Sequence, residues 1–162
     1  MQKRGQLQLS FGMIFSIILI IVTVAVAFYI ITRFLDTGEC LKIQLFYDDL
    51  EKEVDNVWRS PLAEKIFRSG LSGKVESVCF GSPQLLSISN YSNEQRVLQR
   101  YSEFDYNVFM YPTLRACDSN LGFHKLEHAS IPKSFCVKTK EGEVSLRLIK
   151  ERSSDNLVTL KP

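Results

Sequence analysis

The sequence predicts an α+β protein: a long N-terminal transmembrane helix continuing into an amphipathic helix, then a small antiparallel β-rich domain. Three observations predict it. Residues 11–31 contain no charged side chain. From Leu41 to Trp58, apolar residues recur at helical steps. Toward the C-terminus, Phe135, Val137 and Thr139, then Val144, Leu146 and Leu148, alternate with polar residues as half-buried strands do.

The uncharged run is 21 residues long. At ~1.5 Å per helical residue it reaches ~31 Å, close to the ~30 Å hydrocarbon core of a bilayer. Fourteen of its residues are Ile, Leu, Val or Phe, together worth roughly −4 to −8 kcal/mol toward insertion. Tyr29 lies near its far end, where an amphipathic ring suits the membrane interface. Lys3 and Arg4 are the only charges before Arg33. The positive-inside rule therefore predicts a cytoplasmic N-terminus and an extracellular C-terminal domain on the cell membrane. Ala25-Val26-Ala27 also matches a small-x-small cleavage pattern. However, the apolar run is longer than a secretory signal core and continues through Phe28-Tyr29-Ile30-Ile31.

Lys3-Arg4-Gly5-Gln6 directly precedes this run. A basic pair, Gly, Gln and then a long apolar helix resembles the class III signal peptide of archaeal type IV pilin-like proteins. The resemblance covers about the first 32 residues. It implies a prepilin peptidase cutting between Gly5 and Gln6, a helix retained in the mature chain, and packing against identical or related subunits. Many pilins carry Glu at the fifth mature position, where this chain has Ser10.

Beyond the membrane run, Leu41, Leu45, Phe46, Leu50, Val54, Val57 and Trp58 form an apolar stripe, with Asp48, Asp49, Glu51, Glu53 and Asp55 on much of the remainder. Ser60-Pro61 reads as a stop and restart, with a short helix to Arg68 ending at Gly70. Val75 to Phe80 suits a strand, Ser82 to Asn93 a loop, Asn93 to Phe104 a short helix, and Tyr106 to Tyr111 a strand stopped by Pro112. Glu141-Gly142 turns between the two alternating segments, and Leu157 to Leu160 adds a last strand. The expected divisions are 1–10 (leader and start of the mature chain), 11–32 (transmembrane helix), 33–69 (amphipathic helical stalk) and 70–162 (extracytoplasmic α+β domain).

Cys40, Cys79, Cys117 and Cys136 all follow the membrane run. Outside the cell an even count favours disulfides. Three pairings are open. Val78-Cys79-Phe80 and Phe135-Cys136-Val137 have matching strand settings, which favours Cys79 with Cys136 and leaves Cys40 with Cys117. His124-Lys125-Leu126-Glu127-His128 matches the H-x-x-E-H zinc-protease pattern. Gly122 and Ser130-Ile131-Pro132 leave little room for the helix that pattern requires, so both His read as surface residues and no metal is expected. Asn90-Tyr91-Ser92 is an N-glycosylation acceptor triplet.

From Arg33 onward, 18 basic residues meet 18 acidic ones. This neutrality argues against nucleic-acid binding, which needs a basic patch. The sequence carries no nucleophile–base signature or Gly-rich phosphate loop, so neither catalysis, cofactor nor small-molecule substrate is expected. The leading expectation is a pilin-like subunit or surface component of an archaeal cell envelope, with the lipid bilayer as its first partner. The alternative is a monomeric, anchored surface binding module; a zinc hydrolase using His124, Glu127 and His128 is a remote third.

Overall fold

The structure, a computed structural model, describes residues 11–113, 119–152 and 155–162. The chain divides into two compact units, Met1–Thr37 and Gly38–Pro162. Helix α1 (Phe11–Arg59) supplies residues to both.

Within the first unit, α1 is long and apolar enough to cross a membrane. Its large apolar side chains from Met13 to Ile31 are each between 45% and 70% exposed, and they face outward all round. The few polar groups are satisfied by the helix itself. Ser16 Oγ donates to Gly12 O at 2.8 Å, Thr23 Oγ1 to Ile20 O at 2.9 Å and Thr32 Oγ1 to Tyr29 O at 2.9 Å. A helix in hydrocarbon must satisfy its polar groups internally, because no water is there to do so. Arg33 Nε donates to the Tyr29 hydroxyl at 3.3 Å, and its guanidinium lies over the Tyr29 ring. This aromatic–basic pair suits an interface.

The second unit is the α+β domain. Its strands are β1 (Ala63–Gly70), β2 (Ser77–Phe80), β3 (Val108–Tyr111), β4 (Phe123–His124), β5 (Ala129–Ser130), β6 (Phe135–Lys138), β7 (Glu143–Lys150) and β8 (Val158–Lys161). Helix α2 (Ile88–Leu98) lies between β2 and β3 in the chain. One sheet has the order β1-β7-β8-β5 and the other β4-β3-β2-β6. Every pairing is antiparallel except β5 with β8.

The α1 stripe is the centre of the main core. Ile43, Phe46, Tyr47, Leu50, Val54 and Val57 are buried in one cluster with residues of both sheets. The first sheet contributes Phe67, Val144, Leu146, Leu148, Val158 and Leu160, and the second Val78, Phe80, Val108, Met110 and Phe135. The period-two rule then sends Cys79, Phe109 and Cys136 to the opposite face of the second sheet. There they form a second cluster with Leu86 and Leu98, which flank and end α2. The second sheet is thus covered on both faces, which is why β2 is buried at all four positions.

Several expectations are corrected. The expected stripe includes Leu41 and Leu45, but these are 55% and 48% exposed, and Ile43 and Tyr47 take the inward positions. The stop at Ser60-Pro61 is real: Ser60 Oγ donates to Asn56 O at 2.9 Å, and the residue before a proline disfavours helix. The buried Lys150 ammonium donates to Trp58 O at the same helix end, where a cation is favoured. The expected helix from 61 to 68 is instead β1, paired along its whole length with β7 and burying Phe67. The stalk expected over 33–69 therefore ends as a helix at Arg59, and α1 from Gly38 onward belongs to the domain. Helix α2 begins at Ile88, inside the segment read as a loop, and the helix expected to Phe104 gives way to a 3-10 turn at Gln99–Tyr101.

The turn at Glu141-Gly142 is present, with φ of 53° and 78°. Two successive positive φ values are the geometry of a primed hairpin turn, and Gly supplies one without steric cost. However, β6 and β7 do not form one ladder. Only Lys140 and Glu143 bridge, after which β6 joins β2 and β7 joins β1 and β8. The apparent hairpin is the corner where the chain passes from one sheet to the other.

Phe46 is fully buried among both sheets. Phe46→Ala is expected to cost about 3–5 kcal/mol, measured by denaturant unfolding. Leu45→Ala, on the exposed side of the same turn, is expected to stay within about 0.5 kcal/mol in detergent.

Candidate functional site

The most organised polar feature lies where the His124–His128 segment meets α1. Glu51 and Asp55 are one helical turn apart and so share a face of α1. His124 Nε2 lies 2.7 Å from Glu51 Oε1, and His128 Nδ1 lies 3.1 Å from Asp55 Oδ1. A carboxylate accepts, so the ring nitrogen facing it is the donor in each pair. Each imidazole also stacks on an aromatic ring of α1. His124 lies 4.5 Å from Tyr47 between ring centres, and His128 lies 3.9 Å from Trp58 at 7° between planes. The result is two rungs, each an aromatic ring, an imidazole and a carboxylate.

The rungs are held from behind. Asn107 Nδ2 donates to Leu126 O at 2.9 Å, and Leu126 N donates to Asn107 Oδ1 at 2.7 Å. Asn107 N donates to His124 O at 3.1 Å. The Asn107 side chain thus takes the place of a strand neighbour and fixes the loop between the two His. His128 adopts φ of 56°, an uncommon conformation for a side chain of its size. Its carbonyl accepts from Val158 N at 2.7 Å, which ties it to the start of β8.

This geometry separates the segment from the zinc-protease pattern it matches. That chemistry needs two His on one turn of a helix with a Glu base beside them. Here His124 ends β4, His128 precedes β5, and Glu127 lies 3.8 Å from Lys125. Lys125 in turn pairs with Asp105, whose carboxylate raises the ammonium pKa above its ordinary value. Nor are the His simple surface residues, since α1 half-buries both. Among the described residues, no group of three or more His, Cys, Asp and Glu side chains is placed to hold a metal.

Further contacts fasten α1 within the domain. The Tyr47 hydroxyl donates to Leu121 O at 3.0 Å, and burial pushes its pKa up. Trp58 Nε1 donates to Asn156 O at 3.0 Å. Hydrogen bonds from Ser72 and then Lys42 hold the Glu39 carboxyl below its ordinary pKa. A lowered carboxylate pKa adds stability at neutral pH, and that stability is lost as pH falls through the folded-state value.

Cys79 and Cys136 face each other across β2 and β6 and are disulfide-bonded, the pair favoured by their strand settings. Cys40 is also disulfide-bonded. Its expected partner, Cys117, lies outside the described residues, as do Lys3, Arg4, Gly5 and Gln6 of the leader. Asn90 lies in the first turn of α2, exposed to solvent. The sequence signal for the His rungs was available in retrospect: His124 and His128 share the four-residue spacing of Glu51 and Asp55. Nothing in the sequence marks Asn107 as their support.

No protein-family model, curated protein or solved structure matches this chain.

His128→Ala removes a ring stacked on Trp58 and a half-exposed hydrogen-bonded pair. It is expected to cost about 1–2 kcal/mol. A double-mutant cycle of His128→Ala with Asp55→Ala should give a coupling of about 0.5–1 kcal/mol in unfolding experiments. Cys79→Ser/Cys136→Ser opens a cross-link spanning 57 residues and is expected to cost about 4 kcal/mol, read as a lower unfolding midpoint.

Proposed function

We propose that this chain is a non-catalytic, single-pass surface protein of the pilin-like kind, a structural or interaction subunit of an archaeal cell envelope. The observation that carries this reading is the apolar stretch of α1, exposed on every side and self-sufficient in its hydroxyl hydrogen bonds. Such a surface needs lipid or other apolar helices around it. Lys3-Arg4-Gly5-Gln6 in front of it supports processing by a prepilin peptidase, which would leave the helix on the mature chain.

The proposed orientation puts the C-terminal domain outside the cell. Lys3 and Arg4 precede the apolar run, and the Cys79–Cys136 disulfide suits an oxidising compartment. In this reading the domain acts by contact. Its His rungs fasten α1, with His124 on Glu51 and His128 on Asp55. A monomeric anchored binding module is the second reading, favoured by an open cavity beside α2.

Mass spectrometry of the mature N-terminus in the source membrane tests the assignment. A chain beginning at Gln6 is expected. A chain retaining Met1 supports the uncut anchored module instead, and one beginning at Phe28 removes both readings.

A further inference from the structure

The acceptor triplet Asn90-Tyr91-Ser92 occupies an unusual place in the fold. Asn90 and Ser92 are exposed, whereas Tyr91 is half-buried against the second core cluster. Tyr91 also leaves helical geometry, with φ of −136° and ψ of 41°. Helix α2 is therefore broken at the middle residue of the triplet, and the Asn90 turn is set apart from the rest of the helix.

Asn90 is also part of the wall of a cavity of about 340 Å³. Tyr91 continues that wall, Pro132 and Lys133 come from the segment entering β6, and Thr159 comes from β8. Pockets of this size hold small organic groups. The lining is mixed in chemistry: the ring-bearing Tyr91, Pro132 and Phe135, the hydroxyl-bearing Thr159, and the ammonium-bearing Lys133 and Lys161. A pyranose presents the matching pattern, with C–H faces that pack on rings and hydroxyls that accept from an ammonium and exchange hydrogen bonds with a hydroxyl.

We propose that Asn90 carries an N-linked glycan whose first sugar residues lie in this cavity. The inference rests on the outward orientation proposed above, because glycan transfer takes place on that side of the membrane. The donor is an oligosaccharide linked to a polyisoprenyl diphosphate. The Asn90 amide nitrogen attacks the anomeric carbon, forming the C–N bond. The anomeric C–O bond to the diphosphate breaks, the amide proton passes to a base of the transferase, and polyisoprenyl diphosphate leaves. The attached sugar, a bulky group tethered in the cavity wall, then covers Tyr91 and Pro132 and shields Lys133.

The test uses the full chain isolated from its source membrane. Peptide mass spectrometry is expected to find a saccharide mass on the Asn90 peptide. That mass should be lost in Asn90→Gln and in Ser92→Ala, and kept in Ser92→Thr. Ser92→Ala retains the Asn90 amide, so a folding defect in Asn90→Gln does not remove the control. An amine-reactive label should modify Lys133 several-fold more slowly in the wild type than in Ser92→Ala. An unmodified Asn90 overturns the proposal, and equal labelling of Lys133 in a modified chain overturns the seating of the sugar. If the same spectra show Gln6 as the first residue and a bare Asn90, the pilin-like reading stands and only this inference fails.

Discussion

The buried stripe of α1, from Ile43 to Val57, is the surface on which the two sheets of the domain meet. Phe46, Leu50 and Val54 are in one cluster with Phe67, Leu146 and Leu148 of the first sheet and with Val78, Phe80 and Met110 of the second. Neither sheet is large. The first has two full-length strands and the second has none longer than four residues. Small sheets with one apolar face are marginal alone and need a cover. The α1 stripe provides it, and the His rungs, Tyr47, Trp58 and Lys150 fix its rotation and depth with directional bonds. The chain changes sheet between β1 and β2, on either side of β5, and again at the Glu141-Gly142 turn, so the two sheets are interleaved along the sequence.

The parts of this fold legible in the sequence are those governed by local pattern. An uncharged run of bilayer width, a helical stripe and an alternating strand each declare themselves over a few residues. The Cys79–Cys136 pair was legible because both cysteines sit between apolar residues on strands, and such residues meet when strands pair. The parts that were not legible depend on distant partners. Ala63–Gly70 buries only Phe67 fully and carries Glu64, Lys65 and Arg68, so it has no clear period of its own. It is a strand because β7, some eighty positions later, pairs with all of it. Leu41 and Leu45 fit the apolar stripe by residue type, yet Ile43 and Tyr47 hold the buried positions. Burial of the Tyr47 ring with its hydroxyl bonded to Leu121 reverses that expectation.

The H-x-x-E-H match shows the same limit from the side of chemistry. A motif is a spacing, and the spacing has meaning only on the element it presumes. On a helix, His124 and His128 share a face with each other. On a strand followed by a turn with φ of 56°, they reach across to Glu51 and Asp55 and become fasteners. The same residues that could have ligated a metal are thereby given structural partners. The domain that results has disulfides, a helix locked at its centre and polar groups largely committed to one another.

The proposed arrangement has the apolar stretch of α1, long enough to span a membrane, in the bilayer and the domain beyond Gly38 on the outer side. Protease added to intact cells tests this directly. The expected result is cleavage of the domain from outside, leaving a short membrane-held fragment that contains residues 12–31. A chain that stays whole until the membrane is broken, or that is released to the soluble fraction by alkaline washing, would contradict it.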